Sequence, residues 1–194
     1  MKPTYKGFEA KKSSGFVDMP PKGAYVAEIK KAEEIDLEFL NRKAIKVTLD
    51  ICEGEYKDRY ADVWRSQEER FGSATFKGTF NLIPPVEGDE EWRKISFEGN
   101  MWAIQQSNEG YKWDWDEKKL KGKKVGISVR NRLYTYNEQD RSTTEIAEFV
   151  PVEDVRAGTV KLKKDRDQRK NKDEDSTDGS EFTDVSKNVD VPWA

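Results

Sequence analysis

Residues 124–136 decide the fold class, and they read Lys-Val-Gly-Ile-Ser-Val-Arg-Asn-Arg-Leu-Tyr-Thr-Tyr. Apolar and polar side chains alternate along this run, a pattern typical of a β-strand with one buried face. Val125, Ile127, Val129 and Leu133 would form the buried face. The opposite face would then present Lys124, Ser128, Arg130, Arg132, Tyr134 and Tyr136.

Shorter runs on both sides of this segment repeat the strand pattern. A turn at Glu53-Gly54-Glu55 separates the second predicted strand from the third. The predicted strands cover residues 25–30, 45–51, 59–66 and 144–150, the last following a polar hairpin loop at 137–142.

One helix is predicted between the third and fourth strands, because apolar residues recur at helical spacing from Ile95 to Ile104. Trp102 belongs to this pattern and is assigned to the core. Three strands, a helix and two strands is the element order of a five-stranded OB-type barrel, a mainly β fold. A generic small barrel or sandwich would give similar spacing and stays an alternative.

The chain divides into three parts by composition. Residues 1–22 read as an extended N-terminal arm, 23–158 as the OB-fold domain, and 159–194 as a tail. Within the tail, residues 161–172 carry a net charge of +5 and residues 173–194 a net charge of −6. A segment this charged buries too little apolar surface to offset its ordering entropy, so we expect disorder there.

Apolar side chains at the end of the acidic segment are out of place in a solvated tail. The final residues include Asp190, Val191, Pro192 and Trp193. An acidic string with an apolar end suits capture by a basic, apolar pocket on another protein. The sequence therefore predicts a partner-binding tip.

Composition narrows the function classes. The chain has no histidine and one cysteine, which removes the commonest general base, histidine triads and cysteine zinc clusters. No apolar run approaches the ~20 residues of a membrane helix, so we expect no membrane partner and a cytoplasmic location. The net charge of −3 means that any nucleic-acid site must be a local stripe.

The polar face of residues 124–136 is the first candidate for such a stripe. Arg130, Arg132, Tyr134 and Lys124 combine cations with a ring. Cations follow the phosphates of a single strand and rings stack on its bases. The alternative is a solvated exterior whose charges only keep the protein soluble.

The predicted third strand offers a second candidate. Ala61 and Val63 would point inward. The platform on the opposite face would consist of Tyr60, Trp64, Arg59 and Arg65. Alternatively, Tyr60 and Trp64 pack under the long connection 67–85.

No enzymatic site is predicted. No pair of carboxylates lies at the end of a strand with a lysine in nuclease-like spacing, and no glycine-rich phosphate loop is present; the carboxylates considered are Asp62, Glu68, Glu69, Glu90, Glu91, Asp114 and Asp116. Trp113 and Trp115 alternate with aspartates that would repel phosphate, so we assign them to anchoring a loop. We expect no catalytic residue, no metal and no cofactor.

Five segments resemble small proteins encoded by phages and integrated elements of Gram-positive bacteria. They are residues 5–11, 21–26, 54–57, 108–126 and 155–158, and the most specific runs from Trp113-Asp114-Trp115 to Lys121-Gly122-Lys123. The resemblance implies single-stranded-DNA-binding OB-fold proteins of a replication and recombination module, located in the bacterial cytoplasm. It supplies no site residues.

The tail is similar to that of bacterial single-stranded-DNA-binding proteins, which end in an apolar-Pro-aromatic sequence. Here Val191-Pro192-Trp193 stands in that place, and the extra Ala194 departs from the pattern. The implied partners are single-stranded DNA and, through the tip, replication or recombination proteins, with homo-oligomers possible. The alternatives are a phage protein-binding module that inhibits or decoys a host protein, and a metal-dependent nuclease.

Overall fold

The computed structural model describes residues 17–169, and these form a mainly β structure. A six-stranded sheet has the order β3-β2-β1-β4-β5, with β6 added beside β4. Three α-helices and two short 3-10 turns complete the described part of the chain. The strands are β1 (Gly23–Leu37), β2 (Arg42–Ile51), β3 (Thr79–Leu82), β4 (Lys124–Tyr136), β5 (Gln139–Val150) and β6 (Arg166–Gln168); the helices are α1 (Arg59–Phe71), α2 (Glu91–Gln106) and α3 (Val152–Ala157); the 3-10 turns are Glu38–Leu40 and Glu117–Leu120.

The core lies on the faces that alternation predicts for β1, β2 and β4. All neighbours in the strand order pair antiparallel, and β4 pairs with β1 through residues 124–129. The fully buried side chains of this layer include Ala27, Ile29, Val47, Leu49, Ile51, Val125, Ile127 and Val129.

Helix α1 corrects the prediction of a third strand at residues 59–66. The carboxylate of Asp50, at the end of β2, accepts hydrogen bonds from the backbone N–H groups of Tyr60 (3.0 Å) and Ala61 (2.9 Å). These are orphan donors of the first helical turn, so a distant residue caps the helix. Burial raises the pKa of Asp50, and the backbone hydrogen bonds oppose that shift. Because Asp50 lies outside residues 59–66, the sequence of that segment alone does not predict the cap.

The predicted helix is confirmed as α2, with Phe97, Met101 and Ile104 buried. Assigning Trp102 to the core was wrong, because 53% of its surface is exposed. Helical spacing identified the helix but could not decide which of its apolar residues face the sheet.

The sheet does not close into a barrel within residues 17–169, and one of the five predicted strands is helix α1. β3 and β5 lie at opposite ends of the pairing order, and no pairing joins them in the described residues. Their side chains nevertheless meet, since the rings of Phe80 and Phe149 are 4.7 Å apart. The side chain of Asn100 on α2 accepts a hydrogen bond from the backbone N–H of Phe149 at 2.7 Å. Helix α2 therefore satisfies part of the open edge of β5.

The hairpin of β4 and β5 extends beyond the end of β1. Asn137 and Glu138 both have positive φ, which makes a two-residue turn of the type I′ family, shorter than the predicted loop at 137–142. Along this extension β6 pairs in parallel with residues 132–134 of β4, on the side that β1 has left. Residues 166–168 thus belong to the sheet, which corrects the expectation that the tail is disordered from residue 159 onward.

Most of the predicted N-terminal arm and of the predicted C-terminal tail lies outside the described residues. These parts are residues 1–16 of the arm and 170–194 of the tail. At the described end of the arm, the carbonyl of Pro20 accepts a hydrogen bond from the Thr144 hydroxyl at 2.8 Å. Within residues 17–169, no helix has the length and apolar character needed to cross a bilayer.

Candidate nucleic-acid interface

Three strands contribute to one polar face of the β4–β5 hairpin. On β4, Arg130, Arg132, Tyr134 and Tyr136 share this face, as the alternation predicts. In the cross-strand register, Arg130 lies opposite Glu145, and Tyr134 lies opposite Arg141. β6 places Arg166 beside Arg132. We call this surface the cationic hairpin face, and its members are Arg130, Arg132, Tyr134, Tyr136, Arg141 and Arg166.

A single carboxylate organises the arginines at the base of this face. Glu145 accepts from Arg130 at 2.8 Å and lies 3.8 Å from Arg166. All three side chains are only 21–23% exposed. Partly buried pairs are less screened by salt than exposed pairs, so this cluster holds the two guanidinium groups in place. Four arginines against one glutamate leave this face with a net charge of +3.

The two tyrosines of the face are each covered on one side by an arginine. The guanidinium carbon of Arg132 lies 5.8 Å from the ring centre of Tyr134, and that of Arg141 lies 5.2 Å from the ring centre of Tyr136. Both distances fall within the range of cation–π attraction. Arg132 also donates to the side-chain oxygen of Gln168 on β6 at 2.7 Å. The guanidinium groups are therefore oriented before any ligand arrives.

A further cation lies close to this face. Lys77 is in the connection between α1 and β3. Partial burial lowers the pKa of Lys77, and the neighbouring positive charge of Arg132 lowers it further. The charges of Lys77 and Arg132 are therefore close enough to interact, although the two residues lie far apart in the sequence.

Lys124 is separated from the cationic hairpin face. Helix α3 covers the strand between them, since a Cβ placed on Gly126 would lie only 2.6 Å from the Val155 side chain. The Lys124 ammonium instead pairs with Glu53 at 2.9 Å, a carboxylate that it shares with Arg156. The guanidinium of Arg156 and then the ammonium of Lys124 hold the pKa of Glu53 below its usual value.

Tyr60, Trp64, Arg59 and Arg65 lie on helix α1, so the strand face that was predicted to carry them is not formed. Tyr60 is 1% exposed and belongs to the core. The Trp64 indole N–H donates to the Ala74 carbonyl at 3.3 Å, so Trp64 packs on the 67–85 connection, the alternative that the sequence left open. Arg59 lies over the Tyr56 ring at 5.0 Å, and Arg65 pairs with Asp62 at 3.0 Å.

Trp113 and Trp115, the two tryptophans predicted to anchor a loop, differ in their exposure. Trp113 packs against the core cluster, and its backbone N–H donates to the Gln105 side chain at 2.8 Å. Trp115 is stacked on Phe97 at 5.8 Å yet is 65% exposed. Loop anchoring thus describes Trp113 fully and Trp115 on one ring face.

Two members of the cationic hairpin face were missed by sequence reasoning. Arg141 was assigned to a loop, and only the tight turn at Asn137 and Glu138 moves it onto a strand. Arg166 lies in a charged run without apolar periodicity, so the neighbouring residues did not predict a strand there. A polar strand that only adds to an existing edge leaves no hydrophobic pattern to detect.

Within 17–169, no three Cys, Asp or Glu side chains are grouped closely enough to hold a metal ion. The predicted partner-binding residues Asp190, Val191, Pro192 and Trp193 lie outside the described residues.

Comparison with known proteins leaves the family open, since no protein-family model and no curated protein matches this sequence.

Proposed function

We propose that this protein binds single-stranded DNA without base preference, in phage DNA replication and recombination in the cytoplasm of the bacterial host. The observation that carries the proposal is the strand register, which collects four arginines and two tyrosines on the cationic hairpin face around the single Glu145. The molecule as a whole has a net charge of −3, so this concentration of positive charge is local.

Positive charge gives such a face affinity for phosphates. Each phosphate that an arginine neutralises releases condensed counterions, which drives binding and makes it depend on salt. Arg132 and Arg141 suit this role because each also lies against a tyrosine ring, so phosphate and base contacts come from adjacent groups.

The spacing of the rings favours a single strand over a duplex. Residues two apart on a β-strand, such as Tyr134 and Tyr136, are separated by about 6.8 Å. Stacked bases in one strand of B-DNA are about 3.4 Å apart. Adjacent bases can therefore stack on the two rings only if the strand is extended and its bases are accessible.

The topology supports an OB-type architecture that is open between β3 and β5. The order β3-β2-β1-β4-β5, with a helix between β3 and β4, follows the OB element order, and α1 is an insertion between β2 and β3. In OB folds, the connection between the fourth and fifth strands is one of the elements that bind oligonucleotides. The cationic hairpin face lies on the two strands that flank this connection and on β6.

The C-terminal tip has a separate role in this proposal. Asp190, Val191, Pro192 and Trp193 recruit replication or recombination proteins to the bound DNA. A chain ending at Val189 should then retain oligonucleotide binding and lose association with such proteins. Retained association would remove the tip from the proposal.

The test is a titration of labelled oligo-dT at several salt concentrations with two matched double variants. Arg132→Ala/Arg141→Ala removes two arginines from the cationic hairpin face, and Arg59→Ala/Arg65→Ala removes two from α1. Loss of two phosphate contacts should weaken binding at least tenfold and reduce the slope of log K against log salt by about 1.4. The α1 pair should leave both quantities unchanged.

Three results would point elsewhere. Equal losses in both pairs would mean that net charge, and not this face, governs binding. An absence of binding at low salt would favour the protein-binding module that inhibits or decoys a host protein. Magnesium-dependent cleavage of the oligonucleotide would favour the nuclease.

A further inference from the structure

Helix α2 carries an apolar strip that nothing in the described part of the chain covers. Ile95, Gly99, Trp102 and Gln106 follow one another at helical spacing and are all exposed. Ile95 is 60% exposed and Trp102 is 53% exposed. Large apolar side chains grouped on one exposed surface mark interaction sites in soluble proteins. We call these four residues the exposed α2 face.

Packing among the described residues does not explain the glycine at the centre of this face. A Cβ added to Gly99 would meet nothing within 4 Å. Glycine in a helix interior is less favourable than alanine, because it loses more backbone freedom on folding. Gly99 therefore leaves a shallow notch between Ile95 and Trp102, into which an apolar side chain of a partner can fit.

The charge around the notch is negative. Glu91 and Glu98 are exposed along one side of the strip, and neither forms an ion pair within the described residues. Arg93 stacks over the Trp92 ring at 4.6 Å, whereas the half-buried Lys94 lies one helical turn from both Glu91 and Glu98, so these three side chains give the flank a net charge of −1. No lysine or arginine belongs to the exposed α2 face.

We infer that the exposed α2 face docks a basic amphipathic helix of another protein. An apolar residue of that helix occupies the notch at Gly99, and lysines or arginines spaced by two turns reach Glu91 and Glu98. Electrostatic complementarity selects this partner, because like charges opposed across an interface are unfavourable. A second copy of this chain is disfavoured for the same reason, since two α2 helices that cross at Gly99 would bring their Glu98 carboxylates together.

The probe is a labelled amphipathic helical peptide of leucine and lysine, titrated into the full chain and followed by fluorescence anisotropy. Glu91→Lys/Glu98→Lys should weaken binding about tenfold, which corresponds to the loss of two rim ion pairs and their replacement by repulsion. Gly99→Gln should weaken binding to a similar degree because its side chain fills the notch. Its melting temperature should not fall, since glutamine is the better helix former.

A matched control separates local charge from total charge. Glu68→Lys/Glu69→Lys makes the same change on the exposed surface of α1 and should leave peptide affinity within twofold. Equal weakening by both lysine pairs, or unchanged binding by the α2 variants, would overturn the inference. So would a concentration-dependent dimer in sedimentation that Trp102→Ala converts to monomer, because a second copy would then occupy this face.

Discussion

The cationic hairpin face and the exposed α2 face present opposite chemistry on one small protein. The hairpin face combines arginines and tyrosines, and its groups are already oriented by Glu145, Gln168 and each other. The α2 face combines an isoleucine and a tryptophan with two exposed carboxylates, Glu91 and Glu98, on its flank. An oriented polar surface suits a uniform polyanion, whereas an apolar strip with a notch suits one shaped partner.

The two surfaces also differ in how the fold builds them. The α2 face comes from one helix, and its members are local in sequence. The hairpin face needs three strands, and one of them is β6, which lies past Gly158 in the charged tail. This dependence on distant residues makes the hairpin face the easier of the two to remove by shortening the chain.

Two truncations give the largest expected effect. A chain ending at Gly158 lacks β6, Arg166 and the lysines around it, so its oligo-dT affinity should be roughly 25-fold or more below that of a chain ending at Arg169 at 0.1 M salt. A chain ending at Arg169 keeps β6 and removes residues 170–194, whose net charge is −4. Its affinity should rise, because an acidic segment attached beside the face competes with phosphates.

Oligonucleotide titration of the two truncated chains against the full chain measures both changes. Binding of the basic peptide should be the same in all three, since α2 is intact. If the chain ending at Gly158 bound oligo-dT as tightly as the chain ending at Arg169, β6 would have no part in the site. The hairpin face would then not depend on distant residues more than the α2 face does.

A smaller effect is expected from Glu145→Gln. This change removes the carboxylate that pairs with Arg130 and keeps a side chain of the same shape, so oligo-dT should bind about fivefold more tightly at 0.1 M salt. The cluster of Glu145, Arg130 and Arg166 is also structural, so thermal unfolding should be measured alongside the titration. Weaker binding by a folded variant would mean that orienting Arg130 and Arg166 matters more than the charge of the face.

The features that the sequence predicted correctly are those encoded in short stretches of neighbouring residues. Alternation identified β1, β2 and β4 with their buried faces, and helical spacing identified α2. The errors arose where a distant group decides the outcome. Asp50 caps the segment that was predicted as a strand, and the sheet edge at residues 132–134 recruits residues 166–168. Exposure of Ile95 and Trp102 was equally out of reach, because periodicity does not reveal where a sheet ends.

The smallest expected effect comes from Tyr60→Phe, and it tests whether the DNA site extends to α1. The Tyr60 hydroxyl is buried and has no hydrogen-bond partner among residues 17–169, and burial raises the pKa of this side chain far above its usual value. Removing a buried, unsatisfied polar group while keeping the ring should change the free energy of unfolding by less than about 1 kcal/mol, and in the stabilising direction. Because the ring belongs to the core, oligo-dT affinity should not change. Denaturant unfolding and the oligo-dT titration check the two statements. A loss of affinity at unchanged stability would mean that the phenol reaches the ligand after a rearrangement of α1, and the cationic hairpin face would then be only part of the site.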